Sequence, residues 1–158
     1  MTLHEIVPTG HDVPDPTART LLGDYLLGFW LPRRLPTWSE GTCRYRQWAV
    51  TALLASPLAA RPIGELTVLE IERWFATRAI TPWEGTGELP KGGSLKGLHD
   101  TLRAALNDAV RYGVISDNPC TRVGRSRDHA RARRRGATRL TFVGLTSETR
   151  PSAPANGN

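Results

Sequence analysis

One predicted helix in the second half of this 158-residue chain carries a row of hydrogen-bond donors. The members of the row are Lys96, His99, Arg103 and Asn107. Because they follow one another at steps of three, four and four, they fall on one face of an α-helix. Such donors are what a helix laid into a DNA groove offers to phosphates and base edges. Asp100 lies beside the row, and a merely solvated helix face stays open as the alternative, since most charged rows only meet water.

The remaining chemistry-bearing residues do not have the spacing of a catalytic or metal site. Cys43 and Cys120 have no CxxC partner and no adjacent histidine, so we expect two reduced thiols and neither a disulfide framework nor a zinc site. Lys91-Gly92-Gly93 lacks the rest of a Walker motif, which argues against nucleotide binding. We therefore expect no metal, no cofactor and no small-molecule substrate.

Four helical patterns position the row, and no strand pattern precedes Arg139, so the fold class is predicted to be all-α. The first helix is expected to begin after Thr17 or Thr20 and to end at Pro32 and Pro36. Its apolar stripe consists of Leu21, Leu22, Tyr25, Leu26, Phe29 and Trp30.

The second helix is expected to follow Ser39 or Thr42 and to stop at Pro57. Its predicted buried stripe consists of Tyr45, Trp48, Ala49, Ala52 and Leu53, with Arg44, Arg46, Gln47 and Thr51 outside it. The whole stripe is expected to face the core because its members recur at the spacing of a helix face.

The third and fourth helices have the clearest start and stop signals. Thr67-Val-Leu-Glu70 is a capping box, and the helix that it opens should end by Thr81-Pro82. The fourth helix is expected to run from Ser94 as N-cap to Tyr112, with Gly113 ending it in the left-handed conformation. Its apolar stripe consists of Leu95, Leu98, Leu102, Leu106 and Ala109.

Charge divides the chain unevenly. Residues 1–121 hold 10 Arg and 2 Lys against 13 Asp and Glu, whereas residues 122–158 hold 9 Arg against two acids and carry the whole excess behind the net charge of +6. The arginine-rich stretch contains too few apolar residues to offset ordering entropy. We therefore predict a flexible N-terminus at 1–16, a helical domain at 17–123 and a disordered basic tail at 124–158.

In order and spacing, the helical patterns resemble the SAM-like core-binding domain of the tyrosine recombinases, the phage-integrase family. The resemblance covers about Thr20 to Val123. It is carried by Leu22–Trp30 (LGDYLLGFW), by Thr42 with Tyr45, by Ile63–Thr67 (IGELT) and above all by Leu102–Pro119 (LRAALNDAVRYGVISDNP). The last segment is similar to the family pattern in which L-x-x-A-x-x-x-A-V leads through a glycine to a closing N-P.

This resemblance implies a four-helix domain that forms half of a C-shaped clamp around double-stranded DNA and contacts the groove and backbone through its second and fourth helices. By this implication Arg44 and Gln47 join the donor row as DNA-binding candidates. The family's phosphoryl transfer needs a tyrosine nucleophile with arginines, a lysine and histidines from a downstream domain. No tyrosine follows Tyr112, and His129 is the only histidine after Val123, so we expect a truncated, non-catalytic chain.

Three functions remain open. The first is a DNA-binding module, acting alone or with a full-length recombinase as partner; the second is an enzyme completed by another chain. The third is an inert or protein-interaction bundle whose tail binds polyanions without specificity. The N-terminus has no export signal and the longest uncharged stretch is too short for a membrane span, so we expect a cytoplasmic protein that is monomeric when free.

Overall fold

The computed structural model describes residues 14–124, and within this range every regular element is helical. Short 3-10 turns join the first three of the four helices, and a loop at residues 81–91 joins the last two. The nearest approach to a sheet is a single antiparallel bridge between Leu21 and Pro62. The all-α fold class is therefore confirmed for the described residues. The expectations for the N-terminus up to residue 13 and for the tail from residue 125 onward, including its disorder, lie outside these residues.

Helix α1 covers residues 22–34 and consists of a π-helical segment, Tyr25–Trp30, between α-helical turns at Leu22–Asp24 and Leu31–Arg34. The prediction that Pro32 ends this helix is wrong. A proline lacks the N–H for the helical ladder and crowds the preceding turn, and the wider π turn directly before Pro32 is where the helix takes up that mismatch.

The N-cap predicted for α1 at Thr17 or Thr20 is also wrong, because contacts with a distant segment take its place. Thr17 and Thr20 close a turn on each other, and the first N–H of the helix, on Leu22, donates instead to the carbonyl of Arg61 at 2.9 Å. The Ile63 N–H in turn donates to the carbonyl of Thr20 at 2.8 Å. A segment 40 positions away in the sequence therefore satisfies the helix start, which a local capping signal cannot reveal.

Helix α2, Glu40–Leu54, begins after Ser39, whose hydroxyl accepts from the Thr42 N–H as predicted, and ends before Pro57. Its buried face is formed by Ala49, Val50 and Leu53. The expectation that Tyr45 and Trp48 belong to that face is wrong, because their side chains remain 43% and 38% exposed.

Helix α3, Val68–Ile80, has the complete capping box predicted at Thr67 and Glu70. Helix α4, Gly92–Arg111, begins three residues earlier than expected, after Lys91, so Ser94 is inside the first turn rather than the N-cap. Gly113 ends α4 with a φ of +72°, as its position predicts.

The core is a single cluster to which all four helices contribute. The predicted apolar stripe of α4 is buried along its whole length, and α2 and α3 both pack against this helix. The segment after Gly113 completes the described chain by folding back, so that Ile115, Cys120 and Val123 also enter the core. α4 is thereby enclosed on more than half of its circumference, which decides which of its polar residues reach solvent.

Candidate nucleic-acid interface

The exposed side of α4 is a row of four polar residues, which we call the α4 row: Lys96, Asp100, Arg103 and Asn107. Lys96 is 70% exposed at its side chain and pairs with Asp100 one turn later. Arg103 is exposed, and within residues 14–124 its guanidinium meets no carboxylate at ion-pair distance. Exposed pairs of the Lys96–Asp100 kind contribute only about 0.2–1 kcal/mol, so a phosphate can replace the aspartate at little cost.

His99 does not lie on this row, and the expectation that it faces solvent beside Lys96 and Arg103 is wrong. Its side chain is only 11% exposed and its ring centroid is 5.7 Å from that of Phe75 on α3. Burial lowers the pKa of His99, with Asp100, 3.8 Å from Nδ1, opposing that effect. The imidazole is therefore neutral at pH 7 and belongs to the packing between α3 and α4.

Asn107 is exposed but already has a structural task. Its side-chain oxygen accepts from Nδ2 of Asn118 at 2.7 Å, and the same nitrogen reaches the carbonyl of Arg103 at 3.1 Å. The oxygen of Asn118 accepts from the N–H of Cys120 at 2.9 Å. Asn107 thus holds the returning segment against α4, which leaves only its amide N–H₂ group for a ligand.

The two candidates on α2 differ in exposure. Arg44 is 75% exposed and only loosely paired, with 3.8 Å between its Nη2 and Oε1 of Glu40. Gln47 is half-buried, and its backbone carbonyl accepts from the Thr51 hydroxyl at 2.9 Å. Arg44 is the more available of the two for an external phosphate.

Helices α2 and α4 are held together by one close approach and one hydrogen bond. Gly97 faces Tyr45 so closely that a Cβ at this position would lie 1.6 Å from the tyrosine Oη. One turn later Arg46 donates to the Thr101 hydroxyl at 2.8 Å, and that hydroxyl donates back to the carbonyl of Gly97 at 2.8 Å. This contact fixes α2 beside the N-terminal half of α4.

The residues that sequence reasoning missed are aromatic. Tyr45 and Trp48 are 5.9 Å apart between ring centroids, and Trp83, in the loop before α4, is 5.7 Å from Trp48. We call these three the aromatic cluster; Arg78 stacks over its last member at 4.0 Å. Because Tyr45 and Trp48 are largely apolar, the sequence predicts them in the core. The one sequence feature that could have argued against this prediction is Gly97, but its close contact with Tyr45 becomes visible only in the fold.

Asp108 fixes α4 against α1 on the opposite side from the α4 row. It accepts from Trp30 Nε1 at 2.8 Å and from the Arg34 guanidinium at 2.7 and 2.6 Å, with Arg111 at 3.3 Å. Burial raises the pKa of this carboxyl, but the hydrogen bonds from Arg34 and Trp30 outweigh that effect and the pKa is lowered overall. The carboxylate is therefore ionised at neutral pH and orients the helix.

Arg44, Lys96, Arg103 and the amide of Asn107 are exposed donors of the kind that binds phosphates and base edges, and the aromatic cluster offers rings on which bases can stack. Other chemistry has less support. Both cysteines are free, and burial raises the pKa of the Cys120 thiol to about 12, so that it stays protonated. Within residues 14–124 no three His, Cys, Asp or Glu side chains converge as metal ligands, and no helix there has the length and apolarity of a membrane span.

Comparison of the chain with protein-family models, with curated proteins and with solved structures gives no match.

Proposed function

We propose that residues 17–123 are a double-stranded DNA-binding module of the SAM-like, core-binding kind found in tyrosine recombinases, and that they act in the cytoplasm as a monomer. The observation that carries the proposal is the side-by-side packing of α2 and α4, which exposes Arg44, Lys96 and Arg103 on neighbouring helices. The resemblance of the sequence to the family implies DNA contact through these same two helices.

The proposed contacts follow from side-chain chemistry. Arg44, Lys96 and Arg103 would bind phosphate oxygens or the acceptor edge of guanine, while the free amide group of Asn107 would donate to a base or phosphate. Gln47 would contribute from the edge of α2. His99 is removed from the contact set because it is buried.

We further propose that these 158 residues bind DNA without cutting or joining it. Tyr25 is buried, and burial raises its pKa further above the physiological range. Tyr112 is exposed but has Arg111 beside it at 2.9 Å, and Asp108 competes for that guanidinium. A single arginine, Arg111, that is also paired with Asp108 does not supply the several cations that phosphoryl transfer through a tyrosine requires. On this proposal the chain competes or cooperates with a full-length recombinase at its site.

A covalent trap tests this part of the proposal. A nicked suicide duplex incubated with the full chain should give no protein–DNA adduct under denaturing electrophoresis. An adduct that disappears in Tyr112→Phe would show that the chain is an active enzyme.

A salt series tests DNA binding itself and separates the domain from the tail. Residues 125–139 contain seven arginines and one acid, so the tail should add sequence-independent affinity. If four or five of these arginines contact phosphates, removal of residues 124–158 should reduce the log–log salt slope by about 4, at nearly equal cost on specific and random duplexes. Residual binding by residues 1–123 would support the α2–α4 interface, and its complete loss would contradict it.

One observation favours the alternative of a protein-interaction bundle. Leu69 and Ile80 on α3 are 53% and 64% exposed, the highest exposed fractions among the large apolar side chains of residues 14–124. If the helices bind protein rather than DNA, Leu69→Gln with Ile80→Gln should abolish association with the partner while K96A/R103A should not. The DNA-binding proposal predicts the reverse for duplex binding.

A further inference from the structure

A cleft on the side of α3 is not used by the proposed DNA interface. It lies between α3 and the 3-10 turn Pro57–Ala60 and has a volume of about 420 Å³. Its apolar wall is formed by Pro57, Leu58 and Trp74, and its cationic residues are Arg61, Arg73 and Arg78. A volume of this size is within the range of about 300–1,000 Å³ typical of small-molecule sites.

The single carboxylate in the cleft is already engaged. Oε2 of Glu70 accepts from the N–H and the hydroxyl of Thr67 at 3.0 and 2.8 Å, and Oε1 lies 2.9 Å from Nε of Arg61. The Thr67 hydroxyl and N–H are the main cause of a lowered pKa of Glu70, so it is ionised at neutral pH. Its charge is therefore matched by Arg61 and by the start of α3.

The other two guanidinium groups are not neutralised. Within residues 14–124 neither Arg73 nor Arg78 has a carboxylate at ion-pair distance. Arg78 Nη2 donates to the carbonyl of Thr81, yet its Nε is buried without an acceptor among the described residues. Two guanidinium groups without a carboxylate partner among residues 14–124 therefore border the apolar wall of the cleft.

We propose that this cleft binds a small organic anion, a carboxylate carried on an aromatic or short aliphatic body. The body would lie against Trp74, Leu58 and Pro57, and the carboxylate would take paired hydrogen bonds from Arg73 and Arg78. A nucleic-acid backbone fits less well because a phosphodiester has no apolar part to cover the Trp74 wall. The site shares no residue with the α4 row, Arg44 or Gln47 and so does not depend on the proposed DNA-binding function, although Arg78 also stacks on Trp83 of the aromatic cluster.

The test uses 2-naphthoate as the probe and the full chain, with binding followed by titration calorimetry. For a ligand of this size a Kd on the order of 1 mM is expected. The uncharged analogue 2-naphthalenemethanol should bind about tenfold more weakly, because it lacks the charge-assisted hydrogen bonds.

Two variants locate the site. Arg73→Gln, at an exposed position, should weaken naphthoate binding about tenfold, and Thr77→Trp should abolish it by filling the cleft. Arg33→Gln, an equally exposed arginine that stacks on Phe29 outside the cleft, should leave the Kd unchanged. Near-ultraviolet circular dichroism checks that each variant keeps its native packing.

Equal affinity for the acid and the alcohol, or an unchanged Kd in Arg73→Gln, would overturn the proposal. Displacement of naphthoate from the parent chain by a DNA duplex would also overturn the proposal if that displacement is lost in Arg73→Gln. Such a result would assign the cleft to phosphate binding. Failure of the chain to bind DNA at all would leave these results unaffected, so the two proposals fail separately.

Discussion

Each of the two polar faces of α4 carries an aspartate, and the two faces have opposite roles. On the outer face Lys96 and Arg103 are exposed, and Asp100 pairs with Lys96 and lies 3.8 Å from Nδ1 of the buried His99. On the inner face Thr101 and Asp108 are buried, and each receives a donor from a distant helix, from Arg46 on α2 and from Trp30 and Arg34 on α1. A polar residue on a helix is therefore structural when another helix supplies its partner, and stays available for a ligand when none does.

Removal of the Asp108 carboxylate should have the largest effect on stability. Asp108→Ala leaves Trp30 Nε1 and the partly buried Arg34 without an acceptor, so we expect the free energy of unfolding to fall by about 2–4 kcal/mol. Asp100→Ala, the matched aspartate on the outer face, should cost less than about 1 kcal/mol. Urea denaturation of both variants makes the comparison, and equal losses would mean that the two faces do not differ.

Removal of the buried Thr101 hydroxyl should have the second-largest effect on the free energy of unfolding. Thr101→Val keeps the shape but leaves Arg46 without its acceptor, and because Arg46 can turn toward water we expect a loss of about 1 kcal/mol. The matched control is Thr51→Val on the solvent side of α2, which should remain within about 0.5 kcal/mol of the parent. A loss at Thr51 as large as that at Thr101 would contradict the assignment.

These contrasts show what the sequence could and could not predict. The four helices, the apolar stripe of α4 and the capping box at Thr67 depend on periodicity and on neighbours within one turn, and all were predictable. The locations of His99 and Tyr45 were not, since they depend on which segments pack on them. Residues after Gly113 fold back and close over His99, whereas the chain leaves Tyr45 at an edge of the bundle.

The lowered pKa of His99 should make the free energy of unfolding depend on pH, and this effect is smaller than the two above. Burial lowers its folded-state pKa below the unfolded value of about 6.5, so the unfolded chain binds a proton more readily. The stabilisation that comes from neutral His99 is fully present above the pKa of the unfolded state. The free energy of unfolding should therefore decline as pH falls from about 7 toward 5.

His99→Gln removes this titration while keeping a polar side chain. The difference in unfolding free energy between parent and variant should therefore vary with pH in that window and be constant above it. A difference independent of pH would mean that His99 is solvated, as the sequence alone had suggested.

The affinity of the outer face of α4 for DNA decides whether α2 and α4 form a DNA-binding surface. Lys96→Ala combined with Arg103→Ala should weaken binding of the full chain to a duplex by about 2–4 kcal/mol, at one salt concentration and with the fold intact. Arg19→Ala with Arg33→Ala removes the same charge from α1 and the turn before it, and should cost less than about 1 kcal/mol. A selective loss in the first variant is the predicted result in fluorescence anisotropy. Equal losses in both, or none in either, would contradict the assignment of α2 and α4 as a DNA-binding surface.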